Sequence, residues 1–288
     1  MTSVPKVIDV EVALQEKIPD IYKKIPAVIL RLIKKVIRQG DINRMIHESS
    51  HLHGIPLVDW ALDQFGVDIV VKNKELIPKN GQFIFSANHP LGSLDGLAII
   101  TMVATIHQSV KFVANDLLRV IKGLESVFLY IARFGEIDRQ NAREINKTLA
   151  SDAQLLIQPA GTVSKRNPLK ISDLPWNKFF IRKAIQYKRD VIPVHVQARN
   201  SRLFYNIASF RKIFRIKSNL EMFLLPREMF NKSGKTITIT VGKPIAYKIF
   251  DESRTHLEWA QKVREYVYLL GSEKFSSAST TPSFSEIL

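Results

Sequence analysis

The sequence predicts an α/β protein: a mostly parallel sheet flanked by helices, preceded by a helical N-terminal region. Three observations carry this. Beyond Gly66, short runs rich in Val, Ile and Phe alternate with longer segments of helical periodicity, the pattern of a parallel sheet covered on both faces. Ahead of Gly66 the apolar residues recur at helical spacing. The chain has 288 residues and no cysteine, long enough to bury a sizeable core without disulfides. The expected division is a helical region over 1–65, an α/β domain over 66–270 and a disordered tail over 271–288, where Ser, Thr and Pro dominate.

Taken in order, Ile21 to Arg38 reads as helix interrupted near Pro26, which suits the first turn of the helix that follows. Arg31, Lys34, Lys35 and Arg38 recur on one side of it, and Ile29, Leu32, Ile33 and Val36 on the other. Such a basic amphipathic helix fits a membrane surface or an ordinary packed helix. Asp41 to Glu48 and Pro56 to Phe65 read as two further helices. Strands are expected over Val67 to Val71 and Gln82 to Ala87, then a helix over Leu94 to Ile106 and a strand over Val110 to Val113. Asp116 to Arg133 reads as one or two helices, Asn141 to Ala150 as a helix, and Gln154 to Ile157 as a strand. A helix over Asn177 to Lys188 and a strand over Val191 to Val196 follow. Leu203 to Arg215 and Leu220 to Leu225 are expected as helices, and Lys235 to Val241, alternating Ile and Thr, as an edge strand. Asp251 to Leu270 reads as the last helix, capped by Asp251.

The stretch Ser86-Ala87-Asn88-His89-Pro90-Leu91-Gly92-Ser93-Leu94-Asp95-Gly96 joins a strand end to a helix start. Pro90 and Gly92 make the link a shaped turn, so His89 and Asp95 can fold back to hydrogen-bonding distance. A histidine held by a carboxylate is the basic half of a catalytic triad. Neither a cysteine nor a Gly-x-Ser-x-Gly elbow accompanies the pair, so the nucleophile would be the substrate's own hydroxyl. The plainer reading is a turn histidine beside a helix cap.

The formal charge of +15 implies polyanionic partners, either an anionic membrane surface or nucleic acid. No zinc-finger, RNP or other nucleic-acid module is recognisable, so nucleic acid is not the expected partner. Scattered histidines and the absence of thiolates argue against a metal. No apolar run approaches the roughly 20 residues that span a bilayer, and Met1 to Val10 lacks the apolar core expected of a signal peptide. The expectation is therefore a cytoplasmic protein lying on the inner face of the cell membrane.

The first stretch resembles the first motif of the glycerolipid acyltransferases, the superfamily of lysophosphatidate acyltransferase, usually Asn-His-x-x-x-x-Asp. Here one extra residue separates the pair, and Gly92 is expected to absorb it. The spelling resembles a bacterial branch in which some members make amino-acid-containing lipids. Phe134-Gly135-Glu136-Ile137-Asp138-Arg139 is similar to the second motif, Gly-x-x-Phe-Ile-Asp-Arg, whose arginine contacts the acceptor headgroup. Gln158-Pro159-Ala160-Gly161-Thr162-Val163-Ser164-Lys165-Arg166 is similar to the third, Phe-Pro-Glu-Gly-Thr-Arg-Ser, with Ala160 in place of the acid and Gln158 in place of Phe. Val191-Ile192-Pro193-Val194-His195-Val196 resembles the fourth, an acyl-pocket strand; His195 itself reads more naturally as a core or pocket-wall residue.

The resemblance implies a membrane-surface O-acyltransferase in which His89 is the general base and Asp95 orients it. It also implies that Asn88, Gly92, Arg139, Pro159, Gly161, Thr162, Ser164, Lys165 and Arg166 serve the substrate site. The donor would be an acyl thioester of acyl carrier protein or coenzyme A, used as a co-substrate with no resident cofactor. The acceptor would be a lyso-lipid, and Ala160 with the first-motif spelling favours a lyso-amino-acid lipid over lysophosphatidate. A basic nucleic-acid-binding protein and a non-catalytic lipid-binding protein on the same fold remain the alternatives.

Overall fold

The computed structural model describes residues 7–17, 19–131, 139–167, 170–213, 219–272 and 281–288. The N-terminal helices are α1 (Val10–Lys17), α2 (Pro19–Tyr22), α3 (Ala27–Val36), α4 (Gln39–Glu48) and α5 (Ile55–Phe65). Then come β1 (Asp68–Lys72), β2 (Phe83–Ala87), α6 (Ser93–Ala104), β3 (Val110–Asn115), β4 (Phe128–Ile131), α7 (Arg139–Leu149), β5 (Gln154–Ile157), and a small hairpin of β6 (Lys165–Arg166) and β7 (Ile171–Ser172). The remainder is α8 (Phe179–Tyr187), β8 (Asp190–Gln197), α9 (Arg202–Ile213), α10 (Leu225–Phe230), β9 (Thr236–Val241) and α11 (His256–Leu270).

Seven strands form one sheet in the order β1-β9-β8-β2-β5-β3-β4. Every pairing in it is parallel except β8 with β9. Strand alternation sends Phe85, Phe112, Leu156, Val194 and Ile239 to the face covered by α5 and α6. It sends Ile84, Leu129, Leu155 and Val191 to the face covered by α7, α8 and α11. Helix α6 is apolar nearly all round, and Leu94 through Ile100 are buried without a break, as a helix wedged between sheet and neighbours must be. Arg189, itself buried, donates to the carbonyls of Thr148, Leu149, Ser151 and Ala153 and so closes the C-terminal end of α7.

The mostly parallel sheet matches the expectation, and four details differ. Phe128–Ile131 is a strand, although the surrounding segment reads as helix; it adds the outermost strand beside β3. Strand β9 lies inside the sheet between β1 and β8 rather than at its edge. Helix α11 is opened by Thr255 and Glu258 in a reciprocal capping box, while Asp251 accepts from Ser253 N in the preceding turn. Residues 281–288, expected as part of a disordered tail, form a short 3-10 turn with Phe284 buried against Trp259 and Tyr266, whose hydroxyl donates to the Pro282 carbonyl. The intervening 273–280 lie outside the described residues.

Helix α3 packs one side on the protein and leaves the other exposed. Leu30, Ile33 and Val36 pack toward a cluster with Phe204 and Tyr205 of α9, whereas Val28, Ile29 and Leu32 are exposed. Lys34 pairs with Glu11 and Arg38 with Asp41, while Arg31 and Lys35 stand exposed. Among the described residues no helix is long and apolar enough to cross a membrane.

Candidate active site

The carboxyl ends of β2, β5 and β8, three neighbours in the sheet, deliver three loops to one rim. The β2 loop carries His89. Gly92 adopts φ +90°, a conformation that L side chains rarely take, and there the chain turns into α6. The turn folds His89 and Asp95 back to hydrogen-bonding distance, as expected. His89 Nδ1 lies 3.1 Å from Asp95 Oδ2 and 3.2 Å from Oδ1.

Asp95 is fully buried in the first turn of α6. Its carboxylate accepts from Leu91 N at 2.8 Å and from Gly96 N at 2.8 Å, and the helix N-terminus favours its charge. Three donors therefore fix the position of the acid that fixes the histidine. With Nδ1 donating to Asp95, the proton-accepting lone pair of neutral His89 is on Nε2. The His89 side chain keeps 17 % exposure, enough to meet a substrate. Burial disfavours its charged form, but the Asp95 carboxylate by charge and hydrogen bond, with Asp173 further off, outweighs this and raises its pKa above the usual 6.5.

The third-motif loop supports this turn from β5. Ser164 N donates to the His89 carbonyl at 2.7 Å. Gln158, standing where the resemblance expects Phe, donates to the Asn88 carbonyl at 3.3 Å. Asn88 itself is buried; its amide donates to Val196 O at 2.9 Å and accepts from Val196 N at 2.7 Å, pinning the loop to β8. Pro159 is buried, and its carbonyl accepts from Asn177 N and Nδ2. Asn88, Pro159 and Ser164 thus position the loops with the polar groups named here. Ala160 is half-buried against the α8 and α11 core. Gly161 and Arg166 are exposed at the surface of the loop, while Thr162 and Lys165 are half-buried.

Arg139 is exposed at the first position of α7, on the same rim. Strand β4, which leads toward it, is three strand spacings, roughly 14 Å, from β2. Phe134, Gly135, Glu136, Ile137 and Asp138 of the second motif lie outside the described residues.

Two residues escape the sequence reading. Asp173 is buried where four elements meet: it accepts from His89 N at 3.2 Å, Ser164 Oγ at 2.5 Å and Trp176 Nε1 at 2.9 Å, while its own N donates to Tyr268 Oη. Asn200, just beyond β8, donates to the Pro90 carbonyl at 3.1 Å. The amides of His89, Leu91, Gly161 and Ser164 all have acceptors within the protein, so these four do not supply the oxyanion donors expected near the first and third motifs.

His195 on β8 is buried, its Nδ1 without a hydrogen-bond partner, and burial pushes its pKa down to about 4. It is a core histidine, as its sequence position suggests. Among the described residues no three His, Asp or Glu side chains gather as a metal site.

Residues 12–276 match a family model described as "Acyltransferase". A lyso-glycine lipid O-acyltransferase of Bacteroides thetaiotaomicron is 39% identical over 264 residues, 91% of this chain and 97% of that protein. A second protein of that name, from Phocaeicola vulgatus, is 35% identical over 264 residues, 91% and 95% of the two chains. The crystal structure of the 1-acyl-sn-glycerophosphate (LPA) acyltransferase PlsC from Thermotoga maritima superimposes with a TM-score of 0.47 at 18% identity, covering 92% of this chain and 86% of that one.

Proposed function

We infer the reaction from one premise: the chain belongs to the acyltransferase family. It moves a fatty acyl group from a thioester to the hydroxyl of a lyso-lipid. The observation that carries the mechanism is the His89–Asp95 pair on the β2–α6 turn, in a sequence with no cysteine and no Gly-x-Ser-x-Gly elbow. His89 Nε2 takes the proton of the acceptor hydroxyl as its oxygen bonds to the thioester carbonyl carbon. Asp95 holds the tautomer and stabilises the imidazolium. The tetrahedral intermediate then breaks its C–S bond, and the departing thiolate takes the proton from Nε2, restoring neutral His89.

The acceptor we propose is a lyso-amino-acid lipid, the glycine form first. Two relatives that match over nearly their whole length carry that activity in their names, and Ala160 removes the carboxylate usual in the third motif. The donor is a thioester of acyl carrier protein or coenzyme A. The protein works on the inner face of the membrane, held by the exposed Val28, Ile29, Leu32, Arg31 and Lys35 of α3. Arg139, Thr162 and Lys165 contact the anionic headgroup. A side-by-side assay of the purified protein on lyso-glycine lipid and lysophosphatidate tests this. Faster acylation of the glycine lipid is expected. Clear preference for lysophosphatidate would reject the acceptor, and acylation of neither would reject the reaction.

A further inference from the structure

Beyond the end of β8 the protein encloses a cleft of about 710 Å3. Five cationic side chains line it: Arg166, Arg199, Arg202, Lys232 and Lys235. One carboxylate, Glu228, joins them, and it is engaged: Ser201 N and Oγ donate to it at 2.6 Å each, with Arg227 at 3.4 Å. Lys232 is buried and donates to the Arg199 carbonyl at 2.7 Å, so part of the charge belongs to the frame. Arg166, Arg199, Arg202 and Lys235 are exposed.

The cleft shares walls with the machinery around His89. Asn200 lines it and holds the carbonyl of Pro90, the residue after His89. Arg166 lines it two residues after Ser164, which holds the His89 carbonyl. A ligand bound here is therefore moored beside the reacting centre without occupying it.

The charge says what kind of ligand. Five cations against one carboxylate leave an excess of four. A lyso-lipid headgroup with one carboxylate would match little of it. The nucleotide end of coenzyme A, with a 3′ phosphomonoester and two pyrophosphate phosphates, carries roughly four negative charges. The volume suits a small molecule buried in a concave site, whereas the same arm on acyl carrier protein brings a single phosphodiester. We propose that this basic cleft binds the 3′-phosphorylated adenosine diphosphate end of a coenzyme A thioester, leaving the pantetheine arm to run along the Asn200–Pro90 wall toward His89. The inference rests on the reading that the acyl donor is a phosphopantetheine thioester.

Adenosine 3′,5′-bisphosphate tests it, because it carries neither thiol nor acyl group and its binding is read without turnover. Calorimetry on the full chain should show binding that weakens with salt, and the compound should compete with acyl-coenzyme A. The combined Arg199→Gln, Arg202→Gln, Lys235→Gln variant should lose roughly 1,000-fold in affinity, since each of the three lost charged contacts is worth about ten-fold. Its KM for acyl-coenzyme A should rise in proportion, with the acceptor KM where it was. Lys235→Gln alone should move affinity in the same direction, and thermal melting of each variant checks folding. No bisphosphate binding, or binding unchanged in the folded triple variant, overturns the proposal. So does a rise in acceptor KM instead, which would make the cleft a headgroup site. Turnover with acyl carrier protein alone, impaired by the same substitutions, also overturns it while leaving the acyl-transfer reading intact.

Discussion

Two histidines stand near the carboxyl ends of neighbouring strands and have opposite electrostatics. His89 follows β2, keeps part of its ring at the surface and is paired with Asp95, so its pKa is raised. His195 lies within β8, buried beside Tyr268 and Gly271 with no partner for Nδ1, so its pKa falls to about 4. The same side chain is thus a carboxylate-paired base with a raised pKa in one place and a neutral filler in the other. What separates them is the Asp95 side chain, held in place by backbone donors within reach of the ring.

The largest difference should appear in turnover. His89→Ala is expected to abolish acyl transfer in a folded protein, whereas His195→Leu should keep most of it; assaying the two side by side breaks the comparison if both fail or both work. Next comes Asp95→Asn, which leaves the imidazole but not its orienting charge. By analogy with hydrolase triads it should lower kcat roughly 10⁴-fold. A normal rate would remove Asp95 from the mechanism.

His195 should instead register in stability. Above pH 6.5 it is neutral folded and unfolded; as the pH falls toward 4, the unfolded chain binds a proton that the folded one refuses. Stability should therefore drop with falling pH over that window, by up to about 3 kcal/mol. Denaturant titrations at pH 7 and 4.5 check this, and His195→Leu should lose that part of the slope. Gly271 packs so closely that a Cβ there would sit 2.0 Å from the His195 ring; Gly271→Ala should cost about 1–3 kcal/mol by overpacking, read in the same titrations. The smallest effect expected lies away from both histidines. Arg31→Gln with Lys35→Gln should weaken binding to anionic vesicles by on the order of 1 kcal/mol per residue, and unchanged sedimentation would assign α3 wholly to packing.

The sequence made the site's chemistry legible because that chemistry is local. Asn88 to Asp95 is one turn between a strand and a helix, and Pro90 and Gly92 mark its bend. The supports were not legible: Asp173 comes 84 residues after His89 in a stretch with no pattern of its own, and only the assembled sheet brings it to the His89 amide. Strand β4 was hidden because Phe128–Ile131 is a short continuous apolar run, which has no period to tell strand from helix. Strand β9 alternates Ile and Thr like an edge strand, yet β1 lies outside it; which strand is outermost is a property of topology. At the C-terminus, composition suggested disorder, but Phe284, with Ile287 beside it, gives 281–288 apolar surface that docks on the α11 core.

The most direct test is the pH dependence of kcat/KM for acyl transfer, in wild type and in Asp95→Asn. If neutral His89 paired with Asp95 is the base, activity falls on the acid side with a pKa above 6.5, and Asp95→Asn moves that limb to lower pH while lowering the plateau. An acid limb near 4, the value of His195, or a limb unmoved by Asp95→Asn, would contradict the account.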